Sequence, residues 1–137
     1  MGTYVKSYRY KAMQAKPAKS RSVVLIVEDE VFVRLRGADL LAEAGFEVLE
    51  AGNAGEALRI LEATPEVRVV FSDVEMPGSL DGLGLARHIC QHWPGIGIVL
   101  TSGHRIRAET IPREGRFLAK PYDGQALVRH IEEILNP

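Results

Sequence analysis

Apolar and polar positions follow two different periodicities along this 137-residue chain. Short, nearly continuous apolar runs of strand length alternate with longer segments in which apolar residues recur every three or four positions. The run SVVLIV is almost wholly apolar, which is typical of a central strand in a parallel sheet that is covered on both faces. The five predicted strands are residues 22–27, 46–51, 67–72, 96–100 and 116–119.

Helical spacing separates these strands, and the predicted helices cover residues 30–44, 54–63, 81–92 and 123–135. Gly45 is expected to close the first helix and Asp123 to cap the last one. Residues 104–115 are polar and contain Pro112, so the fourth helix, between the last two strands, is predicted to be short or irregular. Strands that alternate with helices indicate an α/β fold with a doubly wound parallel sheet.

Charge divides the chain in two. Residues 1–21 contain six basic and no acidic residues, whereas residues 22–137 contain 11 basic and 18 acidic residues, so the formal charges are +6 and −7. We expect residues 1–21 to form a basic flexible tail and residues 22–137 to form one globular domain. A helix-turn-helix does not fit in so short a tail, so we expect no direct contact with nucleic acid.

The sequence contains neither a membrane-span pattern nor a disulfide pattern. No apolar run approaches the roughly 20 residues of a membrane span, and the N-terminus lacks the apolar core of a secretory signal. Cys90 is the single cysteine, which excludes a disulfide within the chain and a metal site built from thiolates. We therefore expect a cytoplasmic protein that does not contact membranes.

Polar residues that can carry chemistry lie where the predicted strands end. They are Glu28 and Asp29 after the first strand, Asp73 after the third, Thr101 and Ser102 after the fourth, and Lys120 after the fifth. Because the carboxyl ends of parallel strands share one edge of a sheet, we expect these side chains to converge. Three neighbouring carboxylates repel one another, and Mg²⁺, which prefers hard oxygen ligands, would relieve that repulsion.

Each of these residues also has an ordinary structural interpretation. Glu28 and Asp29 could simply favour the positive end of the first helix dipole. Ser102 could cap a loop, and Lys120, the only lysine after residue 21, could lie on the surface. An Asp after a strand, such as Asp73, is more often a loop residue than a catalytic one. Their joint occurrence at successive strand ends favours one shared site.

Five segments resemble the signature segments of response-regulator receiver domains of two-component signalling. These segments are VVLIVEDE, VVFSDVEMPG, DGLGLAR, IVLTSG and FLAKPY, they occur in the family's order, and the resemblance covers residues 22–135. The resemblance implies a flavodoxin-like (βα)5 fold with strand order 2-1-3-4-5. That order would place the first strand beside the third, and hence the acidic pair beside Asp73.

The resemblance also implies roles for individual residues. Asp73 would be the phosphoacceptor, and Glu28 and Asp29 would hold Mg²⁺ together with the Asp73 carboxylate and the backbone carbonyl of Glu75. Lys120 would pair with a phosphoryl oxygen, and its peptide bond to the following proline would be cis. The phosphoryl donor would be a histidine kinase or a histidine phosphotransfer protein.

The hydroxyl that senses the phosphoryl group is less clearly defined, because Thr101 and Ser102 are adjacent. Strand register alone leaves both open. We favour Ser102, since in relatives with a Ser-Gly-aromatic ending the serine takes this place, and here Gly103-His104 follows. The resemblance also implies a role for Phe117. In relatives, the aromatic side chain at this position changes rotamer when the loop that carries the sensing hydroxyl moves.

The leading function is therefore a phosphorylation-controlled signalling switch that is at most slowly self-dephosphorylating and is not an enzyme in the ordinary sense. The chain ends two residues after the last predicted helix, so we expect no output domain in it, and we expect a monomer or weak dimer that acts on another protein.

The alternative is a Mg²⁺-dependent phosphohydrolase that proceeds through an aspartyl-phosphate. Such an enzyme usually needs a second acid two residues after its nucleophile and a cap that covers the substrate. Glu75 has this spacing from Asp73, but no segment of the chain remains to form the cap. A phosphorylation-independent binding module is a third possibility, against which the complete site argues.

Overall fold

The computed structural model describes residues 22–137, and the predicted basic tail of residues 1–21 lies outside the described residues. The strands are β1 (Val23–Val27), β2 (Glu47–Ala51), β3 (Val67–Asp73), β4 (Gly97–Ser102) and β5 (Gly115–Ala119). The α-helices are α1 (Val31–Glu43), α2 (Ala54–Ala63), α3 (Gly82–His92) and α4 (Gly124–Leu135), and a 3₁₀ helix covers Ala108–Thr110. All predicted strands are present, with ends that differ by one or two residues.

The five strands form one parallel sheet in the order β2-β1-β3-β4-β5. This is the strand order of the flavodoxin-like fold that the family resemblance implies, so that expectation is confirmed. The order reverses direction between β1 and β3, which are neighbours in the sheet although α1, β2 and α2 separate them in the chain. Open α/β sheets bind their ligands outside the carboxyl ends of the strands at such a reversal point.

Strand β1 is buried on both faces, as its continuous apolar sequence predicts. Val24 and Ile26 pack in the core beneath α1 and α4, whereas Leu25 and Val27 pack in the core beneath α2 and α3. Alternate residues of a strand point to opposite faces, so an apolar residue is needed at every position of this central strand. The two cores fix the sheet between two helical layers.

Helix termini follow the predicted capping chemistry. Gly45 has a φ of 104° directly after the α1 C-cap, a left-handed conformation that glycine adopts without steric cost. The Asp123 carboxylate accepts a hydrogen bond of 3.1 Å from the Gln125 amide at the start of α4. Both caps confirm the sequence-based boundaries.

The connection between β4 and β5 contains only one turn of 3₁₀ helix, Ala108–Thr110. Pro112 lies two residues after it and cannot donate a backbone hydrogen bond, which prevents an α-helix from continuing through this segment. The predicted short or irregular fourth helix is thereby confirmed. Within residues 22–137, every helix is too short or too polar to span a bilayer.

Candidate functional site

Three carboxylates meet at the carboxyl edge of the sheet, where β1 and β3 end side by side. Glu28 and Asp29 directly follow β1, and Asp73 is the last residue of β3. One oxygen from each carboxylate lies within 4.8 Å of the others. The predicted convergence of these residues is therefore observed, and it follows from the β1–β3 pairing rather than from their separation in the chain.

Glu28 is the most constrained of the three acids. Its side chain is almost buried, and its Oε2 atom accepts a hydrogen bond of 3.0 Å from the Glu30 amide. Desolvation, which is the largest effect, and the nearby Asp73 raise the pKa of Glu28 to about 7, against the opposing effects of the Glu30 hydrogen bond and of Lys120. The burial of Glu28 beside Asp73 therefore opposes the ionisation of its carboxyl group.

Lys120 supplies one positive charge to this cluster from the end of β5. Its Nζ atom lies 3.0 Å from Asp73 Oδ2 and 3.5 Å from Glu28 Oε1. Desolvation lowers the pKa of Lys120, but the hydrogen bonds and charges of Asp73 and Glu28 outweigh that effect and raise it. The peptide bond from Lys120 to Pro121 is cis, as the family resemblance implied.

The donor set fits a hard divalent cation. Three carboxylates offer oxygen ligands, and one ammonium group cannot neutralise all three charges. Asp73 is also nearly buried, yet its Oδ1 atom accepts only a long hydrogen bond of 3.3 Å from the Glu75 amide. Within residues 22–137, no other group of three acidic, histidine or cysteine residues is suited to holding a metal ion.

Ser102 lies beside this cluster, and its hydroxyl already has a strong acceptor. Ser102 Oγ donates a hydrogen bond of 2.6 Å to Glu75 Oε2 and accepts one of 2.9 Å from the His104 amide. The serine is 1% exposed, whereas Glu75 lies at the surface. The family resemblance implied a role for the backbone carbonyl of Glu75, and the sequence contains no signal that its carboxylate accepts a hydrogen bond from Ser102.

Thr101 and Phe117 belong to the strands next to the site. Thr101 Oγ1 donates a hydrogen bond of 2.7 Å to the Leu118 carbonyl, which ties β4 to β5. Phe117 is half-buried and packs against the core beneath α2 and α3. The roles predicted for these two residues stay predictions.

Gly82 is a supporting residue that sequence reasoning passed over. Its amide donates a hydrogen bond of 2.9 Å to the Val74 carbonyl, so α3 begins directly against the backbone that follows Asp73. A Cβ atom on Gly82 would collide with the Asp73 carbonyl oxygen and lie 2.7 Å from Val74 Cα. The Asp-Gly pair at the start of α3 was the available signal, because a glycine after an N-cap permits close backbone approach.

Comparison with known proteins agrees with this geometry. The family model described as "Response regulator receiver domain" matches residues 24–132. The sensor kinase CckA of Brucella abortus is 35% identical over 130 residues, which cover 91% of this chain and 14% of CckA. A putative NtrX-like response regulator of Rickettsia bellii is 39% identical over 110 residues, which cover 77% of this chain and 23% of the relative.

A solved structure has the same fold. The response regulator receiver domain protein of Clostridium thermocellum superposes with a TM-score of 0.79 at 28% identity, covering 84% of this chain and 94% of that one. The chain thus spans less than a quarter of the two curated relatives but nearly all of this receiver structure. Together with the acidic cluster and its lysine, these matches show that the chain belongs to the response regulator receiver domain family of two-component signalling.

Proposed function

We propose that Asp73 accepts a phosphoryl group from a phosphohistidine and that the acyl phosphate switches the domain between two signalling states. The observation that carries this proposal is the contact of the nearly buried Asp73 with Lys120 inside a three-carboxylate cluster at the carboxyl edge. A carboxylate in this position can act as a nucleophile toward phosphorus. The donor would be a histidine kinase or a histidine phosphotransfer protein.

The transfer is a balanced displacement. An Asp73 carboxylate oxygen forms a bond to phosphorus while the phosphorus–nitrogen bond of the donor breaks, and the electron pair of that bond returns to the imidazole. Lys120 lies close enough to Asp73 to pair its ammonium with an oxygen of the incoming phosphoryl group. Charge stabilisation and positioning are the main protein contributions to phosphoryl transfer.

Glu28, Asp29 and Asp73 would hold Mg²⁺, with the backbone carbonyl of Glu75 as a further ligand. The ion, when bound, offsets the negative charge on the transferring group. Its binding also requires Glu28 to be ionised, and the raised pKa of this carboxyl opposes that at mildly acidic pH. Glu28 therefore links metal binding to pH.

The switching step would use Ser102. To donate a hydrogen bond to a phosphoryl oxygen, its hydroxyl has to leave Glu75 Oε2, which accepts that hydrogen bond now. Thr101 is the second candidate, but its hydroxyl joins β4 to the Leu118 carbonyl, and its departure would break a contact between strands. We propose Ser102 as the sensing residue and Phe117 as the aromatic residue that responds on β5.

We further propose that residues 22–137 form the receiver domain, that it works in the cytoplasm as a monomer or weak dimer, and that it acts by contacting another protein. The relatives include a sensor kinase, CckA, and an NtrX-like response regulator. The chain corresponds to a small share of each, so the activities of those whole proteins are not transferred to it. A phosphorylated receiver at most hydrolyses its own acyl phosphate slowly, so it is a switch rather than an enzyme with a separate substrate.

Acetyl phosphate tests the proposal without the cognate kinase. The purified chain is incubated with acetyl phosphate in MgCl₂ or in EDTA, and the intact mass is followed. We expect a gain of one phosphoryl group in Mg²⁺ only, absent in Asp73→Asn and present in the control Asp39→Asn on α1. A gain in Asp73→Asn, or no gain in the unmodified chain with either acetyl phosphate or a panel of histidine kinases, would refute it. Rapid turnover of phosphomonoesters would favour a phosphohydrolase instead.

A further inference from the structure

The backbone amide and the backbone carbonyl of Glu28 both form hydrogen bonds. One partner belongs to β2, and the other is a side chain that contacts β2. Its amide donates a hydrogen bond of 3.0 Å to the Ala51 carbonyl at the end of β2. Its carbonyl accepts one of 2.8 Å from Nη1 of Arg34, which lies in the first turn of α1. Arg34 and β2 therefore both contact the backbone from which the Glu28 side chain projects, one residue before Asp29.

Arg34 is itself oriented by an acid on β2. Its Nε atom lies 2.8 Å from Glu50 Oε1, and only 19% of the Arg34 side chain and 10% of the Glu50 side chain are exposed. One guanidinium group thus joins the Glu50 carboxylate to the Glu28 carbonyl. Gly52 leaves room for this arrangement, since a Cβ atom there would lie 3.3 Å from Arg34 Nη1.

This ion pair is costly as a purely stabilising element. Among residues 22–137, Glu50 Oε2 is the only buried side-chain oxygen or nitrogen atom that lacks a hydrogen-bond partner. Burial raises the pKa of Glu50 to about 7, while the adjacent guanidinium favours its charged form. Buried ion pairs often contribute less to stability than apolar residues of the same size would. A role in orienting the loop that carries Glu28 and Asp29 would explain why this pair is buried although it contributes little to stability.

We propose that Arg34 and Glu50 are positioning residues that hold the Glu28–Asp29 loop in the shape that binds a divalent cation. This inference rests on the proposed function, because it concerns the same cation site. Neither residue touches the cation or the phosphoryl group: Arg34 acts on the Glu28 backbone, and Glu50 acts on Arg34. Outer contacts of this kind typically change metal affinity by about 10- to 100-fold when they are removed.

Electrostatics and positioning predict opposite results for the loss of Arg34. Removing a positive charge next to an anionic site strengthens cation binding if charge is all that matters. Removing a group that orients the ligands weakens cation binding. The sign of the change in Mg²⁺ affinity therefore distinguishes the two roles.

The test measures Mg²⁺ binding to the metal-free full chain by isothermal titration calorimetry at pH 8. We expect Arg34→Met to weaken Mg²⁺ binding about tenfold. Arg34→Lys should weaken binding less, because its ammonium can keep one of the two contacts that the guanidinium makes. Glu50→Ala should weaken binding as well, and the double variant should be no worse than Arg34→Met alone, as for residues that act as a unit. The control Arg59→Met removes an exposed charge on α2 and should bind as the unmodified chain does.

A second measurement does not involve the cation. In the metal-free Arg34→Met variant, the amide of Glu30 should exchange its hydrogen at least about tenfold faster, because the Glu28 carboxylate that accepts it is no longer held in place. The amide of Leu25 in the centre of β1 should keep its exchange rate. A faster rate at both amides would indicate general loosening of the fold and would overturn the inference.

The remaining outcomes separate this inference from the proposed function. Unchanged or tighter Mg²⁺ binding in both Arg34 variants, each still folded, would overturn the positioning role and leave the proposed function intact. Failure of the unmodified chain to bind Mg²⁺ would overturn the metal site of the proposed function and this inference with it. A lower melting temperature with unchanged Mg²⁺ affinity would show a structural role only and would also overturn it.

Discussion

The substitution Glu28→Gln should stabilise the metal-free protein at neutral and alkaline pH. Glu28 has a pKa of about 7 in the folded protein, against 4.5 for an unperturbed glutamate, because desolvation and the charge of Asp73 oppose its ionisation. A shift of this size corresponds to about 3 kcal/mol of destabilisation when the carboxyl is forced to ionise. Glutamine keeps an acceptor for the Glu30 amide but loses the attraction of Lys120, so we expect a net gain of about 1–2 kcal/mol at pH 8.

The pH dependence has a definite sign. Because the folded pKa lies above the unfolded one, the folded protein binds more protons between pH 4.5 and about 7, and stability falls as the pH rises through that window. Below pH 4.5 the carboxyl is neutral in both states, and the advantage of Glu28→Gln should disappear. Above pH 7 the advantage should be complete.

Urea unfolding in EDTA at pH 5, 6, 7 and 8 measures this difference, with the exposed Glu30→Gln as the matched control. Repeating the series in MgCl₂ should reverse the order, since Mg²⁺ at about 100 times its dissociation constant adds about 2.7 kcal/mol to a protein that binds it. Glu28→Gln lacks one ligand and should gain less. A Glu28→Gln variant that is less stable than the unmodified chain in EDTA at pH 8, or a difference that does not vary with pH, would refute the reasoning.

Four further substitutions test the surrounding architecture. Gly82→Ala should lower the free energy of unfolding measured in urea by about 1–3 kcal/mol, because its Cβ atom meets the backbone of Asp73 and Val74. The control Gly55→Ala in α2 should be neutral or stabilising by up to about 1 kcal/mol. Equal effects of the two substitutions would contradict the close approach of Gly82 to the β3 end. Lys120→Met should tighten Mg²⁺ binding by roughly tenfold in calorimetry, since a cation beside two carboxylates is removed; weaker binding would show that the lysine orients the acids. Thr101→Val should cost about 1 kcal/mol of stability through the lost bond to β5 yet still accept a phosphoryl group from acetyl phosphate; loss of phosphorylation in a folded variant would make it part of the chemistry.

Most of the fold follows from the sequence because its apolar pattern is simple. β1 is apolar at every position, which predicts an interior strand of a parallel sheet, and the helical spacing between successive strands predicts the crossovers. Pro112 predicts that the β4–β5 connection cannot hold a normal helix, and a 3₁₀ turn is found there. The convergence of Glu28, Asp29 and Asp73 then follows from the strand order that the family resemblance implies and the structure shows.

Contacts that depend on side-chain direction could not be predicted in the same way. The hydrogen bond from Ser102 to Glu75 joins the last residue of β4 to the loop that follows β3, and neither the spacing nor the residue types specify which oxygen the hydroxyl faces. The sequence pattern does not reveal the Arg34–Glu50 pair, because the apolar residues of β2 predict a strand without specifying a partner for Glu50. A long polar side chain on a buried strand is nevertheless a signal, since it needs a partner when it is desolvated.

The bond between Ser102 and Glu75 suggests how the two proposed states would differ. In the unphosphorylated protein the serine hydroxyl donates to the Glu75 carboxylate at 2.6 Å, and a phosphoryl group on Asp73 would compete for the same hydrogen. Two anionic acceptors cannot both take one hydroxyl hydrogen at full strength. The Ser102 hydroxyl would therefore exchange the Glu75 carboxylate for a phosphoryl oxygen as its acceptor. The His104 amide, which donates a hydrogen bond to Ser102 Oγ, would move with it.

The most direct test of the central claim locates the phosphoryl group. The protein is phosphorylated with acetyl phosphate and Mg²⁺, the acyl phosphate is reduced with borohydride, and the digested peptides are sequenced by mass spectrometry. A phosphorylated aspartate becomes homoserine under this treatment, so the account predicts homoserine at position 73 and at no other aspartate. Homoserine at a different position, or a phosphoryl group that survives borohydride on a serine, threonine or histidine, would contradict it.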